Sequence, residues 1–337
     1  MNLSSSQRKL GSGSAKRQIA GNPSFRWDDV IFQDDLQIQD DVNLHEDRFS
    51  HFLAIDWSGA KGARHKGIAL ALADAAGGPP VLVERGRGWG REDVLALLRE
   101  DLPADTLVGL DLGIALPYAD CGAYFPHNRV LLPDAPALWA LVDDICRDDP
   151  HLEAGSFVAH PDYAPYFRDG AATGAQFCCD AADHGRGRFR VAERAQAAMG
   201  CKPYSNFNLV GAAQVGKSSL TGMRMLHRLR GSLPVWPVDP LPESGSVVAE
   251  IYTSLAALEA GRSAARAKMR SFEDLNAALA ALGSPQVVGS GPIDDHASDA
   301  LLTAAWLRKV ASDPARWAPR DLTPQIARAE GWTFGAL

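Results

Sequence analysis

Apolar and polar positions alternate in blocks along the chain. The first strongly apolar block starts at His51 with HFLAIDWSG, a run that ends in an aspartate and a Ser-Gly turn and so predicts a buried strand. GIALALA (67–73) and PVLVERG (80–86) are short and close enough to pair with it as a meander. A helix over REDVLALLRE (91–100) leads to TLVGLDLGIALP (106–117), whose continuous apolar run suits a central parallel strand. After a long interval, SVVAEIYTS (246–254) predicts another strand, FEDLNAALAAL (272–282) a helix, and DDHASDALLTAAWLRKVAS (294–312) a strongly periodic closing helix. The prediction is an α/β fold.

The interval from Tyr118 to about Pro242 is dense in Pro, Gly, aromatic and basic residues and is predicted to be a mainly helical insertion, with DAPALWALVDDICRD (134–148) its clearest helix. Residues 1–48 are polar, first rich in Ser and Gly and then in Asp, and predict a mobile leader outside the fold. The domain proper is expected over 49–315, followed by a C-terminal extension at 316–337. No internal repeat is present.

With 337 residues, 46% of them hydrophobic, the chain can bury a sizeable core. No apolar run reaches the roughly 18 to 20 residues of a membrane span, and the first residues lack a secretory apolar core. These features predict a cytoplasmic protein without a membrane partner. Five cysteines with no C-x-x-C pair predict reduced thiols. The formal charge of −7 argues against simple coating of nucleic acid. Its distribution is uneven, however: Gly185–Arg230 carries nine Lys and Arg against Glu193 alone, a local charge of +8. This segment is read either as a solvated basic face or as a phosphate-binding, nucleic-acid surface.

Chemistry concentrates at strand ends. Asp56 and Asp111 each close an apolar strand, where a carboxylate is costly unless it is paired or holds a metal. In the closing helix Asp294 reads as a cap, while Asp299 lies a turn further in and shares a face with Asp295 and His296. Carboxylates from two strands and one helix offer hard oxygen ligands suited to Mg²⁺ or Mn²⁺. Glu250, on the later strand, is a further candidate ligand.

AIDWSGA, LVGLDLGIALP, VVAEIYTSL and DDHASDALLTAAWL, in that order, resemble the ribonuclease H-like family catalogued as domain of unknown function 429. The resemblance covers roughly residues 51–312, including KSSLTGMRML. It implies a mixed five-stranded sheet with antiparallel first strands, flanked by helices, and metal ligands at Asp56, Asp111 and Asp299. The spacing His296-Ala-Ser-Asp299 is also similar to the closing motif of RuvC-type nucleases, which implies a companion or general-base role for His296. Those enzymes usually carry Glu where this chain has Asp111, and the family's nuclease activity is itself a prediction.

A second motif competes. Gly211 to Ser218 fits G-x-x-x-x-G-K-[ST] in full, with Gly216, Lys217 and Ser218 in the positions that would hold the phosphates of ATP and their Mg²⁺. Against it stand its position late in the chain and the lack of a following strand that ends in Asp. Trp57 is a candidate for base stacking, although strand-end tryptophans usually pack; His160, His184 and His227 lack metal-ligand spacing. Neither a G-x-S-x-G elbow nor a dinucleotide fingerprint is present. Three functions therefore compete: a metal-dependent nuclease, a nucleotide-binding protein or ATPase, and a non-catalytic binding module on the same fold.

Overall fold

The computed structural model describes residues 48–179, 186–210, 215–263 and 268–337. The predicted leader therefore lies, except for residue 48, outside the described residues. Strands β1 (His51–Asp56), β2 (Ala69–Asp74) and β3 (Val81–Leu82) form the antiparallel meander. Helix α1 (Arg91–Ala96) follows, and β4 (Thr106–Asp111) then inserts parallel to β1.

The next segment is less helical than its composition suggests. It holds α2 (Ala135–Ile145), the short α3 (Gly155–Ala159), a two-residue hairpin of β5 (Arg168–Asp169) and β6 (Ala172–Thr173), then α4 (Val191–Ala198) and α5 (Val215–Leu229), with long irregular stretches between them. Its last strand, β7 (Val235–Trp236), pairs with β8 (Val247–Glu250). The chain closes with α6 (Thr253–Glu259), α7 (Phe272–Ala281), α8 (Asp295–Val310) and α9 (Pro324–Ala329).

The sheet has six strands in the order β3-β2-β1-β4-β8-β7, parallel from β1 to β7. The expected five strands are present; β7 is the addition, and two residues are too few to leave a period-2 signal. No helix among the described residues is long and apolar enough to cross a membrane.

Strand alternation divides the interior in two. Leu53, Ile55, Val108 and Leu110 join one core with α2 and α5; Phe52, Ala54 and Leu107 join the other with α6, α7 and α8. Gly109 lies on the second face, where a β-carbon would stand 2.8 Å from Ile251 and 2.9 Å from Leu307. Its missing side chain lets α8 pack close against the sheet. By the same parity Asp56 and Asp111 point towards α8.

Residues 316–337, expected as an extension, belong to the core. Trp317, Trp332 and Phe334 are buried, and the Phe334 amide donates to the Glu250 carbonyl at 2.8 Å, beside a parallel bridge between Glu250 and Thr333. Apart from the short helix α9 this segment is irregular, so no long periodic pattern marks the apolar surface it carries inward.

Candidate metal centre

Asp56 and Asp111 are direct register partners at the ends of β1 and β4. Helix α8 starts beside them because Asp294 caps it, its carboxylate accepting from the amides of His296 and Ala297. The first turns of α8 then bring two more groups to the strand ends. His296 Nδ1 lies 2.7 Å from Asp56 Oδ2, and Asp299 is close enough for its charge to act on both Asp56 and Asp111. Thr253, at the start of α6, approaches Asp111 Oδ2 at 3.4 Å.

All three carboxyls are held above the usual carboxylate range. Burial is the main cause in each case. For Asp111 the charges of Asp56 and Asp299 add to it and push the group well up. Asp299 is pushed up to about 7 by burial and then by Asp56. Asp56 is raised less, since the His296 hydrogen bond opposes its burial. His296 is raised in turn, chiefly by the bond to Asp56.

Lys268 is the cation that sequence reasoning missed. Its ammonium pairs with Asp295 Oδ2 at 3.2 Å, and although burial alone would lower it, that bond and the charges of Asp299, Asp295 and Asp56 raise it. Nothing in the sequence marks it, because it lies in a loop remote from every motif.

Two proposed ligands are used otherwise. Asp295 is the counter-ion of Lys268 and of Arg270, 3.5 Å away. Glu250 pairs in β8 with Leu110, not Asp111, so parity sends its side chain to the opposite face of the sheet from Asp111. There its carboxylate receives Arg190 Nη2 at 2.5 Å, the Ile114 amide at 2.8 Å and the Thr333 hydroxyl, inside a buried network that also holds Glu193. It is a structural ion pair and not a ligand at this centre.

Among the described residues, the one group whose ligand atoms all lie within 4.8 Å of one another is Asp120, Cys121 and Cys179. Cys121 and Cys179 form a disulfide, and Asp120 is bound to Arg188 Nη2 at 2.6 Å, so this group is occupied by its own bonds. The disulfide corrects the expectation of five reduced thiols; Cys146, Cys178 and Cys201 are free. Asp56, Asp111 and Asp299 are spread wider than that limit.

Among the described residues, no strand of the central sheet leads into the phosphate-loop motif. Gly211 lies outside the described residues, while Gly216, Lys217 and Ser218 form the first turn of α5. The preceding apolar stretch makes one bridge, Asn208 to Arg168, and is no strand of the central sheet. Gly59 also presses on this turn: a β-carbon there would lie 2.4 Å from the Ser218 nitrogen.

The basic segment is largely consumed internally. Arg188 is buried against Asp120, Arg190 against Glu193 and Glu250, and Arg224 against Asp143, while Arg228 shares Asp143. Trp57 is buried and donates its indole N–H to Thr221 Oγ1 at 3.0 Å, so it packs and does not present a stacking face. Among the described residues His160 and His227 join no metal-like group, and His184 lies outside them.

The chain matches no protein-family model, no curated protein and no solved structure.

Proposed function

We propose that the protein is a metal-dependent phosphodiester hydrolase whose centre is Asp56, Asp111 and Asp299. The observation that supports this reading is the convergence of three carboxylates from two adjacent strand ends and a facing helix, against one histidine and one lysine. Such an excess of buried negative charge is costly in a protein that gains nothing from it. Hard oxygen donors in a spread arrangement fit Mg²⁺ or Mn²⁺, which keep several waters and take only one or two carboxylates directly. When bound, such an ion supplies an activated water and stabilises the leaving oxygen.

The chain's own residues do the rest. Asp56 holds the His296 ring through Nδ1, which fixes its orientation and leaves Nε2 as the atom that exchanges a proton. Thr253 steadies Asp111. Lys268, held by Asp295, offsets charge above the cluster and stands ready to face a substrate phosphate. The reading does not extend to a nucleic-acid surface on residues 185–230, whose arginines are mostly spent on internal carboxylates.

The test is calorimetric titration of Mn²⁺ into wild type and Asp56→Asn, both shown to be folded, followed by hydrolysis of bis(p-nitrophenyl) phosphate. Binding and turnover in the wild type that vanish in the variant support the proposal. Equal behaviour of the two proteins would overturn it.

A further inference from the structure

A cavity of about 390 Å³ opens on the α5 side of the molecule, between the loop that follows β1 and the helices α3 and α5. Its size falls in the roughly 300 to 1,000 Å³ range of small-molecule sites. The floor is apolar, from Ala154 and Val158 on one side and Leu220 on the other, and Gly59 brings bare backbone to the wall. Two cations, Lys61 and Lys217, line the same space, and neither makes an ion pair among the described residues.

Two acids, Glu153 and Asp169, line the same space but bind neither lysine. Glu153 turns its carboxylate to the Gly62 amide, 2.7 Å away, and Asp169 sits on the exposed β5–β6 hairpin. The lysines are left to a ligand.

The wall is rigid before any ligand arrives. Buried Arg91 donates to the carbonyls of Ser58 and Ala60, both at 2.9 Å, and to His151 at 2.8 Å. Trp57 ties the same loop to Thr221, itself a lining residue. A loop fixed in this way loses little freedom on binding.

The cavity and the carboxylates share the loop that follows β1. Asp56 and Gly59 are three residues apart, a reach of at most roughly 10 Å. A β-carbon on Gly67 would stand 3.4 Å from both the His296 ring and Ser58 Cβ, so the imidazole and the loop flank a single glycine. One short loop thus has the metal centre at one end and, at the other, an apolar-floored cavity lined by two unpaired lysines.

We infer that this cavity binds a phosphate ester of nucleoside size, its phosphate between Lys61 and Lys217 and its organic part on the apolar floor, as the neighbouring unit of the scissile phosphodiester. The link to a scissile bond rests on the hydrolase reading; binding in the cavity does not.

The experiment is calorimetric titration of the full chain in chelator with AMP, adenosine and inorganic phosphate as probes. AMP binds saturably and more tightly than either fragment. Lys61→Ala and Lys217→Ala each weaken it about tenfold, the cost of one charge-assisted hydrogen bond. Ala159→Leu, at an exposed lining position, weakens AMP more than inorganic phosphate.

No saturable AMP binding, or AMP binding untouched by both lysine substitutions, overturns the inference. AMP binding without Mn²⁺ binding would keep the cavity and discard the metal centre, and the reverse would do the opposite.

Discussion

Asp56 and Asp111 stand side by side as register partners on parallel strands, and neither is in ion-pair contact with an arginine or lysine among the described residues. Like charges so placed repel in the metal-free protein. Asp111→Asn should therefore stabilise the apoprotein by about 1 kcal/mol, in the way that active-site neutralisations often do. Urea melts in chelator check this, and a destabilised variant would show that the Asp111 carboxylate has a favourable partner. The same substitution should abolish Mn²⁺ binding.

The raised carboxyls fix the sign of the pH dependence. Asp299 titrates near 7 in the folded state against 3.8 as a free side chain, so between those values the folded protein binds more protons than the unfolded one. Stability from this group is complete at the acidic end and lost as pH rises through about 7. His296 and its raised value act in the same direction, with their contribution lost above the ordinary histidine range. The melting temperature in chelator should fall from about pH 5 to about pH 8, and Mn²⁺ should restore it at the alkaline end. A melting temperature that rises over this interval would refute the coupling.

His296→Gln removes the proton-exchanging atom while sparing the three carboxylates. It should lower kcat for bis(p-nitrophenyl) phosphate by about 100-fold, a usual size for general acid–base catalysis. Mn²⁺ affinity should change little. Steady-state rates and calorimetry on the same preparation separate the two, and a variant with full turnover would reduce His296 to a prop for Asp56.

Glu250→Ala should behave as a core lesion. It strips Arg190 of one of two buried partners, at a cost of about 3 kcal/mol. Denaturant unfolding measures the loss. Mn²⁺ affinity under conditions where the variant is folded should match wild type, whereas a lost metal site would return Glu250 to the ligand set.

Thiol counts test the covalent link. The unfolded, unreduced chain should show three reactive thiols, Cys146, Cys178 and Cys201, and five after reduction. Reduction of a bridge across 58 residues should cost roughly 4 kcal/mol in unfolding experiments. Five thiols without reductant would contradict the bridge.

The apolar runs ending at Asp56 and Asp111 were readable because buried strands impose continuous hydrophobicity, and a carboxylate at the end of such a run is conspicuous. Asp299 and His296 were readable through helical spacing after a capping Asp294. Parity along VVAE is enough to exclude Glu250, since Val248 and Glu250 must share the face opposite Val247 and Ala249. The basic segment misled for a different reason. A charge run does not name its partners, and Asp120 and Asp143 lie 68 and 81 residues from Arg188 and Arg224 in the chain. Lys268 and the Cys121–Cys179 bridge left no local pattern at all.

The Phe334 amide docked on the Glu250 carbonyl sets an order of events during synthesis. The central sheet and α8 can be laid down as the chain emerges, but the pocket filled by Trp332 and Phe334 stays open to water until those residues have been made. A chain cut short before Trp332 carries an apolar trench beside β8, a substrate for chaperones and proteases. Docking of residues 332–334 on β8 is thus the step that seals this core from water.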